Sequence, residues 1–446
     1  MNNTTENALA AAGMNDAWWR PLRSAATNRG GEFVTVETGE SQLPFRGLVA
    51  FTIILLLAPQ FIFPFLEPFR IALLAILVTV VSLVYTRFSL GQPILNLSGG
   101  AMYPLLIAGW ATITAPMSFW PGGSIGFLTG IYLKPLVLFI LLVNIVNTRE
   151  KLIRIAWLLS LIAVPLSLTT LKHFLTGELS QGDRVVGYKG GLTSNPNDLA
   201  LMLNLILPFC IALFFIYRRP QIRILQVSIM VLIVSAVIVT FSRAGFLALA
   251  VMFLIYVWQL RNRPERRYVP MLLVLAVMAL PLVPSSYYER VSTITDVSAD
   301  TTGSAQIRLR DSIAAAGYVA GHPLLGAGIG MNALAMNSVR GETWTEIHNV
   351  YLQFAVELGI PGLLLFLLFY RCCFNNTRQV LEHGEQHGMD ELFYITEAIR
   401  IGLIIYAVEA FFHPSAYQFY FYYISGLAVA TKAIFASESR LQHVES

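Results

Sequence analysis

Three basic side chains and one histidine stand out by type and position. Arg243 lies in Val-Thr-Phe-Ser-Arg-Ala-Gly between two apolar runs, with scarcely a loop around it. A charge at the edge of the hydrocarbon is expensive, and its presence there points to function before scaffold. A snorkelling arginine that meets lipid phosphates is the plainer alternative. Arg308 and Arg310 fall on a predicted amphipathic helix over 306–320. Their spacing sends them in different directions, so one can face a site while the other meets solvent or Asp311. His348 precedes a long apolar helix, flanked by Glu346 and Asn349. With a pKa near 6.5, an imidazole there suits acceptance of a proton at neutral pH, although a lone histidine at a helix start is often only a cap.

A second polar stretch runs Gly-Asp-Arg-Val-Val-Gly-Tyr-Lys-Gly-Gly-Leu-Thr-Ser-Asn-Pro-Asn-Asp over 182–198. Ser194-Asn-Pro-Asn-Asp is a helix N-terminus by composition. Capping explains it, but Arg184, Lys189, Asn195 and Asn197 also make the stretch a candidate lip for a sugar or phosphate. Glu409 and His413 are weaker candidates at the end of a late span. No nucleotide-binding glycine loop, nucleophile elbow or zinc-binding histidine motif is present, which argues against a nucleotide-driven pump or a metalloprotease.

The elements that must position these residues are membrane helices. The chain has 446 residues, 56% hydrophobic and only 13% charged. An ordinary soluble domain carries about 25% charge. Apolar runs recur along most of the length, so the fold class is an all-α polytopic membrane protein. About twelve spans are predicted, near 47–66, 70–87, 101–119, 126–147, 152–171, 196–217, 222–240, 242–260, 268–284, 348–370, 393–412 and 417–436. Residues 1–45 read as a disordered tail, 46–437 as the transmembrane domain, and 438–446 as a second tail. The net charge of +4 reflects basic short loops rather than a nucleic-acid surface. These loops alternate with loops nearly free of Lys and Arg, which places both termini in the cytoplasm. The larger loops, 172–195 and 285–347, then face the periplasm, the second of them partly helical. Three cysteines, Cys210, Cys372 and Cys373, offer neither a disulfide framework nor a zinc spacing.

The pieces in their order resemble the O-antigen ligase/polymerase superfamily of bacterial envelope glycan enzymes. The resemblance is carried by Ser194-Asn-Pro-Asn-Asp-Leu-Ala200, Phe241-Ser-Arg-Ala-Gly245, Arg308 followed by His322-Pro-Leu-Leu-Gly-Ala-Gly328, Ile347-His-Asn-Val-Tyr-Leu352, and Glu357-Leu-Gly-Ile-Pro-Gly362. It covers roughly 50–435, with one departure at Ser312, where the family often has tryptophan. It implies a metal-independent inverting glycosyltransferase of the inner membrane, without cofactors, acting at the periplasmic face. The donor would be a glycan on undecaprenyl pyrophosphate. The acceptor would be lipid A-core for a ligase, or a second lipid-linked repeat unit for a polymerase. Within that implication, His348, Arg308 and Arg243 are the expected catalytic residues. Arg310, Arg184, Lys189, Asn195, Asn197, Glu346 and Asn349 are the expected substrate contacts. A transporter of lipid-linked sugars or small anions is the competing class; it predicts mid-span charges and repeat symmetry. The charge here gathers in an outer loop instead.

Overall fold

The structure is a computed structural model that describes residues 41–97, 99–178, 184–188, 190–261, 263–270, 304–341, 345–384 and 389–445. These residues are overwhelmingly helical. In chain order the main helices are α1 (Leu43–Leu57), α2 (Ile71–Ser89), α3 (Met102–Thr114), α4 (Pro121–Ile145), α5 (Arg149–Thr176), α6 (Pro196–Ile216), α7 (Pro220–Val239) and α8 (Arg243–Leu260). They continue with α9 (Ser304–Gly321), α10 (Asn332–Arg340), α11 (Val350–Gly384), α12 (Asp390–Glu409) and α13 (Phe419–Glu445).

Among the described residues, eight helical stretches are long and apolar enough to cross a membrane. The chain is thus a polytopic helical membrane protein, but the expected twelve spans do not all take that form. The first, expected at 47–66, is a 15-residue helix that stops at Ala58, where φ is +44°. Pro59, Pro64 and Pro68 follow, and each lacks the N–H that a continuing helix needs. The third, expected at 101–119, ends at Thr114, just before Pro116. The eleventh is 20 residues long but carries Asp390, Glu391, Glu397, Arg400 and Glu409. The ninth expected span, 268–284, lies almost wholly outside the described residues, as do the tail 1–40 and loop residues 285–303.

Helix α6 is central. It packs against α5, α7, α8 and α12, and Leu199, Ala200, Leu201, Leu203 and Asn204 are fully buried. An aromatic core joins α11, α12 and α13, in which Phe354 stacks on Phe366 at 4.5 Å and Tyr406 on Phe421 at 5.0 Å. Such offset pairs add to the stability that burial alone supplies.

Helix α11 is broken. Gly359 has φ +69°, which only glycine adopts without strain. The break releases backbone groups of α11, and the turn 323–330 takes them. Ala327 N donates to Val356 O at 2.7 Å, Gly328 N to Glu357 O at 2.8 Å, and Ile360 N to Pro323 O at 2.7 Å. A Cβ on Gly359 would stand 2.3 Å from Leu324 O.

Candidate active site

The segment 345–350 enters α11 through a series of anchors. Arg340, the last residue of α10, donates from Nη2 to Thr345 O at 2.8 Å. The same guanidinium closes on Asp311 of α9 at 2.5 Å, both side chains at most 4% exposed. Asn332 accepts from Ile347 N at 3.1 Å and donates to Glu357 Oε1 at 2.5 Å. Glu357, fully buried, also accepts from Gly330 N at 2.7 Å. Val350 N donates to Ala410 O at 2.8 Å, which ties the segment to the end of α12. His348 is thus fixed from three sides by bonds to backbone and buried charge.

The predicted helix over 306–320 is α9, Ser304–Gly321. Arg308 is half-buried and Arg310 exposed, as the alternate spacing requires. Ser312, at the departure position, turns its hydroxyl back to Arg308 O at 2.8 Å. The imidazole of His348 is held below its ordinary pKa, first by burial and next by the positive charge of Arg308. The Glu346 backbone carbonyl and Asp311 act in the opposite sense, and His413 in the same sense as Arg308. Neutral imidazole is therefore favoured, and this form can accept a proton. Arg308 and His348 are close enough to feel one another's charge. Glu346 keeps an exposed edge, yet lost hydration still raises its carboxyl above the usual range; His413 works against that rise and Asp198 with it.

Arg243 is the first residue of α8 and half-buried. Ser242 caps the helix by accepting from Gly245 N at 3.2 Å, while Phe241 takes φ +54° to reverse the chain. Phe241 packs with Val185, so the segment carrying Arg184 lies against the turn carrying Arg243. Lys189 lies outside the described residues.

The three asparagines have structural partners. Asn195 accepts from Asn197 N at 2.9 Å as the cap of α6, and Asn197 accepts from Ser242 Oγ at 2.8 Å. Asn349 accepts from Leu352 N at 3.0 Å as the cap of α11. Asn195 and Asn349 cap α6 and α11, and Asn197 joins α6 to α8.

Sequence reasoning missed two pairings. Arg340 carries no local signal that it clamps Asp311. Asp198 sits in the capping signature and His413 at the end of a late span, 215 residues apart, yet His413 Nε2 meets Asp198 Oδ1 at 2.8 Å. Only a tertiary contact could reveal either.

This geometry, an arginine-bearing helix and an anchored histidine beside a glycine turn that mends a broken helix, can be set against known proteins. Residues 228–367 match the O-antigen ligase family. The match supports the O-antigen ligase/polymerase superfamily that the motif order resembles. The matched stretch includes Arg243, Arg308, Arg340, His348 and Glu357 but neither Asp198 nor His413. No curated protein matches the chain.

Proposed function

We propose that the protein is a membrane glycosyltransferase that moves a glycan from undecaprenyl pyrophosphate to a sugar hydroxyl at the periplasmic face. The observation that carries this reading is the electrostatic coupling of Arg308 to an anchored, neutral-favoured His348 inside the O-antigen ligase segment. In the reaction, the acceptor oxygen bonds to the anomeric carbon as the carbon–pyrophosphate bond breaks, with inversion. The bonding pair leaves on the pyrophosphate oxygen, and the hydroxyl proton passes to His348. Arg308 and Arg243 meet the charge that develops on the leaving group, which guanidinium forks can do without a metal. Arg184 and Arg310 extend the basic rim toward the glycan and lipid phosphates. Basic loops support cytoplasmic termini and a periplasmic loop 285–347.

The test is purified full-length protein given lipid-linked repeat units, with and without lipid A-core. Growth on the carrier lipid identifies a polymerase, and transfer to core a ligase. His348→Ala should bind donor as wild type does and lose transfer by about 10²–10⁴-fold, the usual contribution of a general base. Near wild-type transfer by that variant overturns the role of His348. Failure of both acceptors overturns the transferase reading.

A further inference from the structure

Helix α8 has 18 residues, so its far end lies about 27 Å from Arg243. Two short turns meet there. One joins α6 to α7 over 217–219, and the other, Pro264–Tyr268, follows α8. Tyr268 links them: its ring meets Phe214 edge-on at 5.5 Å and lies 6.2 Å from Phe215, at the end of α6. Two guanidinium groups converge on its hydroxyl. Arg223, in the first turn of α7, donates from Nη1 at 3.5 Å, and Arg267 donates from Nη2 at 3.2 Å. Each also sits over a ring, Arg223 over Phe214 at 5.1 Å and Arg267 over Tyr268 at 5.0 Å. Arg223 is held further by its Nε, which donates to Tyr217 O at 3.0 Å. The stretches 217–223 and 261–268 carry seven arginines and one acid, Glu265. The nearby acids are engaged elsewhere: Glu265 accepts from Tyr394 at 2.9 Å, and Glu397 meets Arg263 at 2.8 Å. Among the described residues, no carboxylate pairs with Arg223 or Arg267.

We propose that Arg223, Arg267 and the Tyr268 hydroxyl form a binding site for the phosphodiester headgroup of an anionic phospholipid, separate from the candidate active site. Two cations drawn to one neutral oxygen repel each other, and an anion between them turns that cost into attraction. Guanidinium forks take phosphate oxygens in pairs. The Tyr268 oxygen accepts from both arginines, so its own hydrogen is left to donate to the ligand. Basic loops of this kind also orient membrane helices, but orientation needs only charge in the loop, not convergence on one hydroxyl. The depth is that of lipid phosphates. Ile224 and Trp258 are exposed on the flanking turns of α7 and α8, and Arg261 lies over the Trp258 ring at 5.5 Å. An exposed indole beside arginine is typical of the membrane–water boundary. A zwitterionic headgroup brings its own cation to a surface where Arg218, Arg219, Arg261 and Arg266 are already exposed; an anionic one does not. Free phosphate offers the same oxygens but no acyl chains for Ile224 and Trp258 to meet.

The experiment is native mass spectrometry of the full-length protein in detergent with equal amounts of phosphatidylglycerol and phosphatidylcholine. Wild type should retain phosphatidylglycerol in preference. Arg223→Gln combined with Arg267→Gln should lower that preference by about 30-fold, the loss of two interfacial cations. Arg218→Gln combined with Arg219→Gln removes the same charge outside the notch and should lower it clearly less. Tyr268→Phe keeps every charge and ring, yet should lower it by about threefold to tenfold, the loss of one hydrogen bond; it carries the test if the first double variant does not fold. No preference in wild type overturns the proposal. Equal losses from the two double variants, or an unchanged preference in Tyr268→Phe, also overturn it, since both are marks of diffuse surface charge. Displacement of the bound lipid by excess inorganic phosphate overturns the assignment to a lipid headgroup.

Discussion

The end of the bundle that carries His348 and the end where α11 finishes handle charge differently. At the His348 end, Asp311 and Arg340 are at most 4% exposed, His413 is as buried on a mostly covered Asp198, and Glu357 is fully enclosed. At the other end, Arg378–Glu382 and Arg154–Glu150 are exposed pairs one helical turn apart, and Arg149 meets Glu438 and Glu391 at the surface. Arg263–Glu397, at 2.8 Å and mostly buried, is the exception there. Exposed pairs contribute little, because water and salt screen them and two long side chains must be ordered. Buried pairs repay their desolvation only when every partner is kept. The contrast shows where this chain accepts the expense of buried charge: around the segment that fixes His348.

Breaking one buried partner should give the largest effect. Asp311→Ala removes the buried carboxylate on which Arg340 closes and is expected to destabilise the protein by about 3–5 kcal/mol, seen as a lower unfolding temperature in detergent. An unfolding temperature equal to wild type would erase the contrast between the two ends. Next comes the glycine turn. Gly359→Ala forces an L side chain into φ +69° and against Leu324 O; a loss of about 1–3 kcal/mol is expected from the strain alone. Pulse proteolysis would measure it, and a neutral result would mean that the two halves of α11 shift freely.

The pH effect is smaller. The folded-state pKa of His348 lies below the free value of about 6.5, so the unfolded chain binds more protons in the window between the two. Stability from this group is present above about pH 6.5 and lost as pH falls through the folded value. Denaturant titrations of wild type and His348→Gln should therefore diverge below that pH, with wild type falling faster. Glu346, raised, acts with the opposite sign in the window above its ordinary carboxylate range, so the difference between variants is the quantity to read. Parallel curves would contradict the burial of His348. Smallest of all, Arg378→Ala should leave the unfolding temperature unchanged, and a clear drop would show that the distant end also depends on its ion pairs.

Much of this was legible in the sequence, for physical reasons that can be named. The helix of Arg308 was readable because its apolar and polar residues alternate with helical period over 306–320, and it spans Ser304–Gly321. The start of α6 was readable because Asn-Pro-Asn-Asp has few other uses. The amides of Asn195 and Asn349 were legible as caps because a side-chain oxygen just before a helix meets the free N–H groups of its first turn. The first span was overextended because hydropathy does not register that Pro59, Pro64 and Pro68 interrupt the helical ladder. Asp198–His413 and Asp311–Arg340 could not be read at all, because ion pairs across helices leave no local periodicity.

The repaired break in α11 has a consequence for the order of assembly. Residues 323–330 leave the ribosome before 356–360, so the turn is already present when the unsatisfied carbonyls of α11 emerge into the bilayer. A membrane offers no water to hold those groups in the meantime. Insertion of α11 and docking of the turn are therefore one event. A lesion in the turn, such as a side chain on Gly326 beside Val356 O, should show itself first as failed membrane insertion, before any folded protein exists to assay.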